Sequence, residues 1–190
     1  LYPHPQITIY DREIKSFSDL KGLKVRCHDS EIKQAELQAV GSIPMSMSTA
    51  DVPLALQQGT INGMQSDVIF INGNKLYQSA KYVTNLPNYQ TCNVCMISKP
   101  FLDSLPGDLR QLVLDTADEV NENIMVDYIK EFMVKSYEMI KNDGGVIVDV
   151  GEDVIRQYNE AARPVGEQFI SKHPEMRPIY DELMSYVESH

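Results

Sequence analysis

Arginine, cysteine and histidine follow one another at Arg26, Cys27 and His28, directly after the short apolar segment LKGLKV. Such a trio could form a reactive thiol, a metal site or a cationic group for an anionic ligand. A catalytic Cys–His pair is disfavoured, because adjacent residues on a strand point to opposite faces. An arginine at the end of a strand offers a planar fork that can bind a carboxylate. A surface arginine at a loop entrance is the alternative, and the pattern alone leaves both open.

Other polar residues at the ends of predicted strands have two interpretations each. His28 could line a pocket or simply precede the helix that begins at Ser30. Thr49 could contact a ligand or cap the next helix. Gln65, Ser66 and Asp67 could meet a ligand at a strand end, or only form the loop into a helix.

Metal and redox chemistry find little support in the sequence. The four histidines have no ligand-like spacing. Cys92 and Cys95 form a C-x-x-C in an apolar, strand-like segment, where residues three apart point to opposite faces. We therefore expect buried thiols there. No nucleotide-binding, hydrolase or metalloprotease motif occurs, which weighs against an enzyme.

Composition narrows the class of partner. A formal charge of -10 argues against binding nucleic acid or an anionic membrane. No run of 18 apolar residues occurs, so no direct membrane insertion is expected. The sequence does not begin with methionine and shows no signal-peptide pattern, and we expect a mature chain or a fragment.

The first half alternates short strands with helices, as in an α/β fold with parallel strands. A strand at 24–27 is followed by a helix from Ser30 to Gly41 and by an extended segment at 42–47. A second helix should begin between 49 and 51 and end at Gly59, with an extended segment at 60–67 after it. A third helix at about 70–81 and a strand at 93–97 complete the pattern.

The second half is mainly helical. Apolar residues keep helical spacing from Asp108 to Asn142, which predicts one helix about 50 Å long, lying along two lobes. A strand at 146–150 follows. We then expect a helix interrupted at Pro164 and a last helix over about 178–187.

Four blocks in fixed order resemble a known family. They are LKGLKVRCHD, GSIPMSMSTADVPLALQQGTINGMQSD, KLYQSAKYVT and MISKPFLDSLPGDLRQLVLDTADE. Together they are similar to the C-terminal two-thirds of the DctP-type solute-binding proteins of TRAP transporters (tripartite ATP-independent periplasmic transporters). The resemblance is close from Leu20 to Asn142 and loose elsewhere.

The resemblance implies a type II periplasmic-binding-protein-like α/β fold, with two lobes, hinge strands, a long lobe-spanning helix and an incomplete first lobe. Residues 1–91 would belong mostly to the second lobe. Residues 92–142 would contain a hinge strand, a first-lobe remnant and the spanning helix. Residues 143–190 would return to the second lobe and form the C-terminal helices.

The resemblance also implies site residues. Arg26 matches the arginine that forms a salt bridge with the ligand carboxylate, and Ser66 matches an asparagine that contacts the ligand. Thr49 replaces an aromatic residue of the family, which leaves the ligand class open. Weaker correspondences and cleft positions add Gln65, Asp67, Gln6, Thr91 and Asn93, and the position of His28 after the strand adds that residue.

The implied function is extracytoplasmic capture of a small organic acid and its delivery to TRAP permease subunits in the membrane, without a catalytic residue, metal or cofactor. The expected location is the periplasm. Two alternatives are a ligand-sensing domain and, with less support, an enzyme on the same scaffold with Cys27 or His28 reactive.

Overall fold

A mixed six-stranded sheet with helices on both faces organises the protein. A computed structural model describes residues 4–5, 7–86, 90–91, 96–120 and 125–189. The strands of this sheet are β2 (Ile7–Tyr10), β3 (Lys24–Cys27), β4 (Ile43–Ser46), β5 (Gly63–Ser66), β6 (Tyr82–Asn85) and β8 (Val146–Asp149). Two further short strands, β1 (His4–Pro5) and β7 (Gln90–Thr91), pair with each other.

The helices carry the chain between the strands and beyond them. They are α1 (Glu31–Ala39), α2 (Val52–Gln57), α3 (Val68–Gly73), α4 (Lys99–Ser104), α5 (Gly107–Glu119), α6 (Met125–Asn142), α7 (Glu152–Lys172) and α8 (Arg177–Ser189). Short 3-10 turns precede α2 at Thr49–Asp51 and follow α3 at Leu76–Gln78.

The strand order in the large sheet is β4-β3-β5-β2-β6-β8. Strand β3 is parallel to β4 and β5, and β6 is parallel to β8. Strand β2 runs antiparallel to both β5 and β6, which places it in the centre as the one reversed strand. Five strands therefore end at a common edge, which we call the carboxyl edge. Ligands of open α/β sheets bind beyond such an edge.

The two faces of the sheet bury separate cores. One contains Ile9, Met64 and Val83 of the strands, together with residues of α2, α3 and α6. The other contains Tyr10, Val25 and Cys27, together with residues of α1 and α7. Alternating side chains of each strand thus serve opposite faces. The expected α/β architecture is confirmed.

Several predicted elements are present with their expected boundaries. Strand β3, helix α1 and the last helix lie where the sequence predicts them. Gly41 and Gly59, at φ +83° and +68°, follow the first two helices in the left-handed conformation that favours glycine.

Other predictions are wrong or untested. The third helix ends at Gly73, because Lys75 adopts a left-handed conformation at φ 50°. The following segment forms β6, and residues 7–10 form β2; the sequence predicts neither strand. Helix α7 continues through Pro164, since buried Val154, Tyr158, Val165 and Ile170 anchor it on both sides. The strand predicted at 93–97 and the continuity of the long helix across 121–124 fall largely outside the described residues.

Candidate functional site

Arg26 lies near the carboxyl edge and is buried. Its exposed fraction is only 3%, so the surface-arginine alternative is wrong. Its register partners on the neighbouring strands are Met45 and Met64, which fixes the face of the sheet that its side chain occupies. That face is the one covered by α2, α3 and α6. The side chain therefore lies under helices rather than in a surface loop.

Two protein oxygens orient the guanidinium group of Arg26. Its Nε and Nη2 atoms both donate to the backbone carbonyl of Met47, each at 3.2 Å. Nη2 also donates to Oγ1 of Thr49 at 3.1 Å. Both acceptors are uncharged oxygens, and these bonds fix the direction of the guanidinium.

The segment that holds Arg26 connects β4 to α2. Within it, Ser48 rather than Thr49 acts as the helix cap, since Oγ of Ser48 accepts from the backbone N–H of Ala50 at 3.3 Å. The capping alternative for Thr49 is therefore not supported. Thr49 instead directs its hydroxyl oxygen to Arg26.

Ser66 and Gln65 end strand β5 beside Arg26, but on different faces. Ser66 follows Met64 by two residues and shares the face of Arg26, with 8% exposure. Gln65 is 3% exposed and belongs to the opposite face, where it lies across from Thr8. The structure thus brings Ser66, and not Gln65, to the same side of the sheet as the arginine.

Asp67 performs a structural task. Its Oδ1 atom accepts a hydrogen bond from the backbone N–H of Phe70 at 2.8 Å and so caps α3. Replacing such a cap usually costs about 1 kcal/mol of stability. The loop interpretation of Asp67 is confirmed, and a ligand contact for it stays a prediction.

His28 and Cys27 diverge, as expected for neighbours on a strand. Cys27 is buried in the core beneath α1 and α7, and this burial raises the pKa of its thiol. His28 is exposed, yet partial desolvation and the nearby charges of Arg26 and Lys33 lower the pKa of its imidazole. The imidazole is therefore neutral at pH 7. It can accept or donate a hydrogen bond beside the carboxyl edge.

The remaining predicted site residues stay predictions. The backbone of Thr91 pairs with His4 in the small β1–β7 ribbon. Gln6 and Asn93, like Cys92 and Cys95, lie outside the described residues.

A second polar cluster at the carboxyl edge was not predicted. Tyr137 donates to Oδ1 of Asn85 at 2.9 Å, and Asn85 donates through Nδ2 to Oδ1 of Asp149 at 2.6 Å. Burial, and then the charge of Asp149, raises the pKa of the Tyr137 phenol. The sequence signal for this cluster is the aspartate near the end of VIVDV. Its partner Asn85 cannot be found from the sequence, because the strand β6 that carries it is not predicted.

This cluster and Arg26 lie at different parts of the edge. Strands β3 and β6 are separated by β5 and β2, hence by about 14 Å at the usual strand spacing. The guanidinium also leans towards the β4 side. Ser66 and His28 therefore lie nearer to Arg26 along the edge than Asn85 does.

None of the described helices has the length and apolar content needed to cross a membrane.

Comparisons with known proteins identify the family. The family model described as bacterial extracellular solute-binding protein, family 7 (DctP), matches residues 5–173. The ectoine-binding periplasmic protein TeaA of Halomonas elongata is 25% identical over 173 residues, which cover 90% of this chain and 50% of the relative. The C4-dicarboxylate-binding periplasmic protein DctP of Rhodobacter capsulatus is 25% identical over 165 residues, 87% of this chain and 45% of the relative.

Solved structures show the same fold. The periplasmic ectoine-binding protein of the TeaABC TRAP transporter of Halomonas elongata superposes with a TM-score of 0.89 at 23% identity, over 100% of this chain and 64% of that one. Other matching solute-binding proteins were solved with bound D-glucuronate, β-D-galacturonate, succinate or sn-glycerol-3-phosphate. The chain spans about half the length of the curated relatives it matches. Because the family model covers most of its residues, the protein belongs to the bacterial extracellular solute-binding proteins of family 7, the DctP-type proteins of TRAP transporters.

Proposed function

We propose that this chain supplies the second lobe and part of the first lobe of an extracytoplasmic binding protein that captures a small organic acid and delivers it to a TRAP-type permease. The observation that carries the proposal is the buried, oriented Arg26 at the carboxyl edge. A guanidinium at a sheet edge is a fixed donor for carboxylate oxygens. Relatives that bind ectoine, C4-dicarboxylates or uronates support an organic acid as the ligand.

The role of each nearby group follows from its placement. Arg26 binds the ligand carboxylate, and Ser66 offers a hydroxyl on the same face of the sheet. His28, neutral at pH 7, lies at the rim and provides a hydrogen bond without a second charge. These groups bind and orient a ligand, and the proposal assigns no catalytic role to any of them.

The second part of the proposal concerns a first lobe that packs against α4, α5 and α6. Helix α5 has no buried residue, although it carries Leu109, Leu112 and Leu114. On α6, the stacked rings of Tyr128 and Phe132 are also exposed, with centroids 5.4 Å apart. A 13-residue helix is marginally stable without packing. An apolar surface of this kind supports the assignment of 92–142 to the first-lobe and spanning segments, and closure of that lobe would exclude water from Arg26.

The relatives also support a membrane partner and a location for the protein. We assign the protein to the periplasm and the TRAP permease subunits as its membrane partner, since the family consists of solute-binding proteins of such transporters. A ligand-sensing domain is the alternative function, and the described residues offer no feature that favours it.

Calorimetric titration of the wild-type protein and Arg26→Ala with D-glucuronate, D-galacturonate, ectoine, succinate and sn-glycerol-3-phosphate tests the proposal. Removing one partner of a buried, hydrogen-bonded charge pair costs about 2–5 kcal/mol, so affinity for the bound acid should fall about 30-fold or more. Arg12→Ala is the matched control. Arg12 follows the end of β2 that lies away from the carboxyl edge, is exposed and pairs with Asp11.

Two results would contradict the proposal. The first is an affinity of Arg26→Ala equal to that of the wild type. The second is a protein with both lobes present that binds none of the five acids. Circular dichroism of Arg26→Ala and Arg26→Lys shows whether a variant that loses binding is still folded. Arg26→Lys keeps a cation but lacks the planar fork.

A further inference from the structure

We infer that Thr49 is a positioning residue that holds Arg26 ready for its ligand, and is not itself a ligand contact. This inference rests on the proposed function, because it concerns how the same arginine binds an acid. By the family resemblance Thr49 is a candidate ligand contact that replaces an aromatic residue of the family. The structure favours positioning because the Thr49 hydroxyl oxygen accepts directly from Nη2 of Arg26.

The Thr49 hydroxyl adds a second acceptor to the backbone carbonyl of Met47, and we call these two acceptors the cradle of Arg26. The carbonyl of Met47 accepts from Nε and Nη2 and so fixes one edge of the guanidinium. A second acceptor on Nη2, at a different position, opposes rotation of the planar group about its side-chain bonds. Together the two acceptors define the plane in which a carboxylate must approach.

The cradle is itself rigid. Ser48 caps the 3-10 turn at Thr49–Asp51, and the backbone N–H of Asp51 donates to the carbonyl of Ser48 at 3.1 Å. Met47 packs against the core beneath α2 and α3. Thr49 is half-buried, so its side chain has restricted freedom. An ordered cradle lowers the entropy that ligand binding must otherwise remove from a long arginine side chain.

A consequence is a direction of approach. The guanidinium is fixed towards β4 and α2, away from β2 and β6. The ligand carboxylate is therefore received at the β4–β3 end of the carboxyl edge, with the rest of the ligand extending over Ser66. A threonine, unlike a phenylalanine, achieves this through a hydrogen bond.

The test compares Thr49→Val with Thr49→Ser. Valine has nearly the same shape but no acceptor, whereas serine keeps the hydroxyl. Side-chain ¹⁵N NMR of Arg26 in the ligand-free protein, assigned with Arg26→Lys, measures restriction of the guanidinium. We expect slow Nε–H exchange and resolved Nη signals in the wild type and Thr49→Ser, and faster exchange with averaged signals in Thr49→Val. Thr116→Val, an exposed change in α5, is the control.

Titration with the five acids gives a second readout. Loss of one of several hydrogen bonds to a charged group should weaken the acid that binds by about tenfold in Thr49→Val and leave Thr49→Ser within about twofold. Unchanged Arg26 signals in Thr49→Val would overturn the inference, even if Arg26→Ala abolishes binding and so upholds the proposed function. An affinity loss with unchanged signals would also overturn it, because Thr49 would then act as a ligand contact. If no acid binds, the proposed function fails, whereas the NMR comparison still decides whether Thr49 restrains Arg26.

Discussion

Gly63 is the residue at which a single methyl group should most disturb the sheet that carries the site. It begins β5 and lies directly opposite Tyr10 of β2. A β-carbon built at Gly63 would lie 2.3 Å from the carbonyl oxygen of Ile9 and 2.7 Å from Cδ1 of Tyr10. The first of these atoms belongs to the backbone of a central strand, so it cannot move aside as a flexible side chain could.

The size of the effect follows from what must shift. Separating β2 from β5 far enough to accept the methyl strains a packed core, at about 1–3 kcal/mol. It also weakens ladder hydrogen bonds, worth about 1 kcal/mol each. We therefore expect Gly63→Ala to lower the free energy of unfolding by about 3–5 kcal/mol, a large part of the 5–15 kcal/mol typical of a domain.

Urea denaturation followed by circular dichroism measures this loss. With an m-value of about 2 kcal/mol/M, the midpoint should fall by roughly 1.5–2.5 M. Gly107→Ala is the matched control, because no heavy atom lies within 4 Å of its built β-carbon and the residue begins α5. Its midpoint should stay the same or rise slightly. A midpoint for Gly63→Ala within about 0.3 M of the wild type would refute the close-contact argument.

Two further predictions concern hydrogen bonds between elements. Tyr77 donates to Oδ2 of Asp143 at 2.8 Å, and this bond, followed by one from Gln78, holds the pKa of Asp143 below its ordinary 3.8. A lowered folded-state pKa stabilises the protein above the unfolded pKa, and this contribution is lost as pH falls through the folded value. Tyr77→Phe should therefore lower the urea midpoint more at pH 7 than at pH 3, and equal losses at both would contradict this. Tyr158, 2% exposed on α7, donates to Oε1 of Glu36 on α1 at 2.7 Å. Tyr158→Phe should cost about 1–3 kcal/mol in urea denaturation, whereas exposed Tyr128→Phe should cost little; equal effects would exclude a special role for the α1–α7 bond.

Elements with local signals can be predicted from the amino-acid sequence alone. Strand β3, helix α1 and the glycines after α1 and α2 follow from short-range patterns, since apolar spacing and left-handed glycines act within a few residues. The strand pattern also placed Arg26 at a strand end, and the order of the motifs predicted the family that the comparisons confirm. The divergence of Cys27 and His28 required only the alternation of side chains along a strand.

Contacts between residues distant in sequence depend on the folded chain. Strands β2 and β6 were missed because their stability comes from pairing with partners distant in sequence, and Asn85 and Asp149 become neighbours only through β6 and β8. Packing on both sides of Pro164 kept α7 continuous where the local rule predicted a break. The hydrogen bond from Arg26 to Thr49 joins residues 23 positions apart. Sequence identified the arginine, whereas the fold determined its direction, because direction depends on atoms that only the folded chain brings within hydrogen-bonding distance.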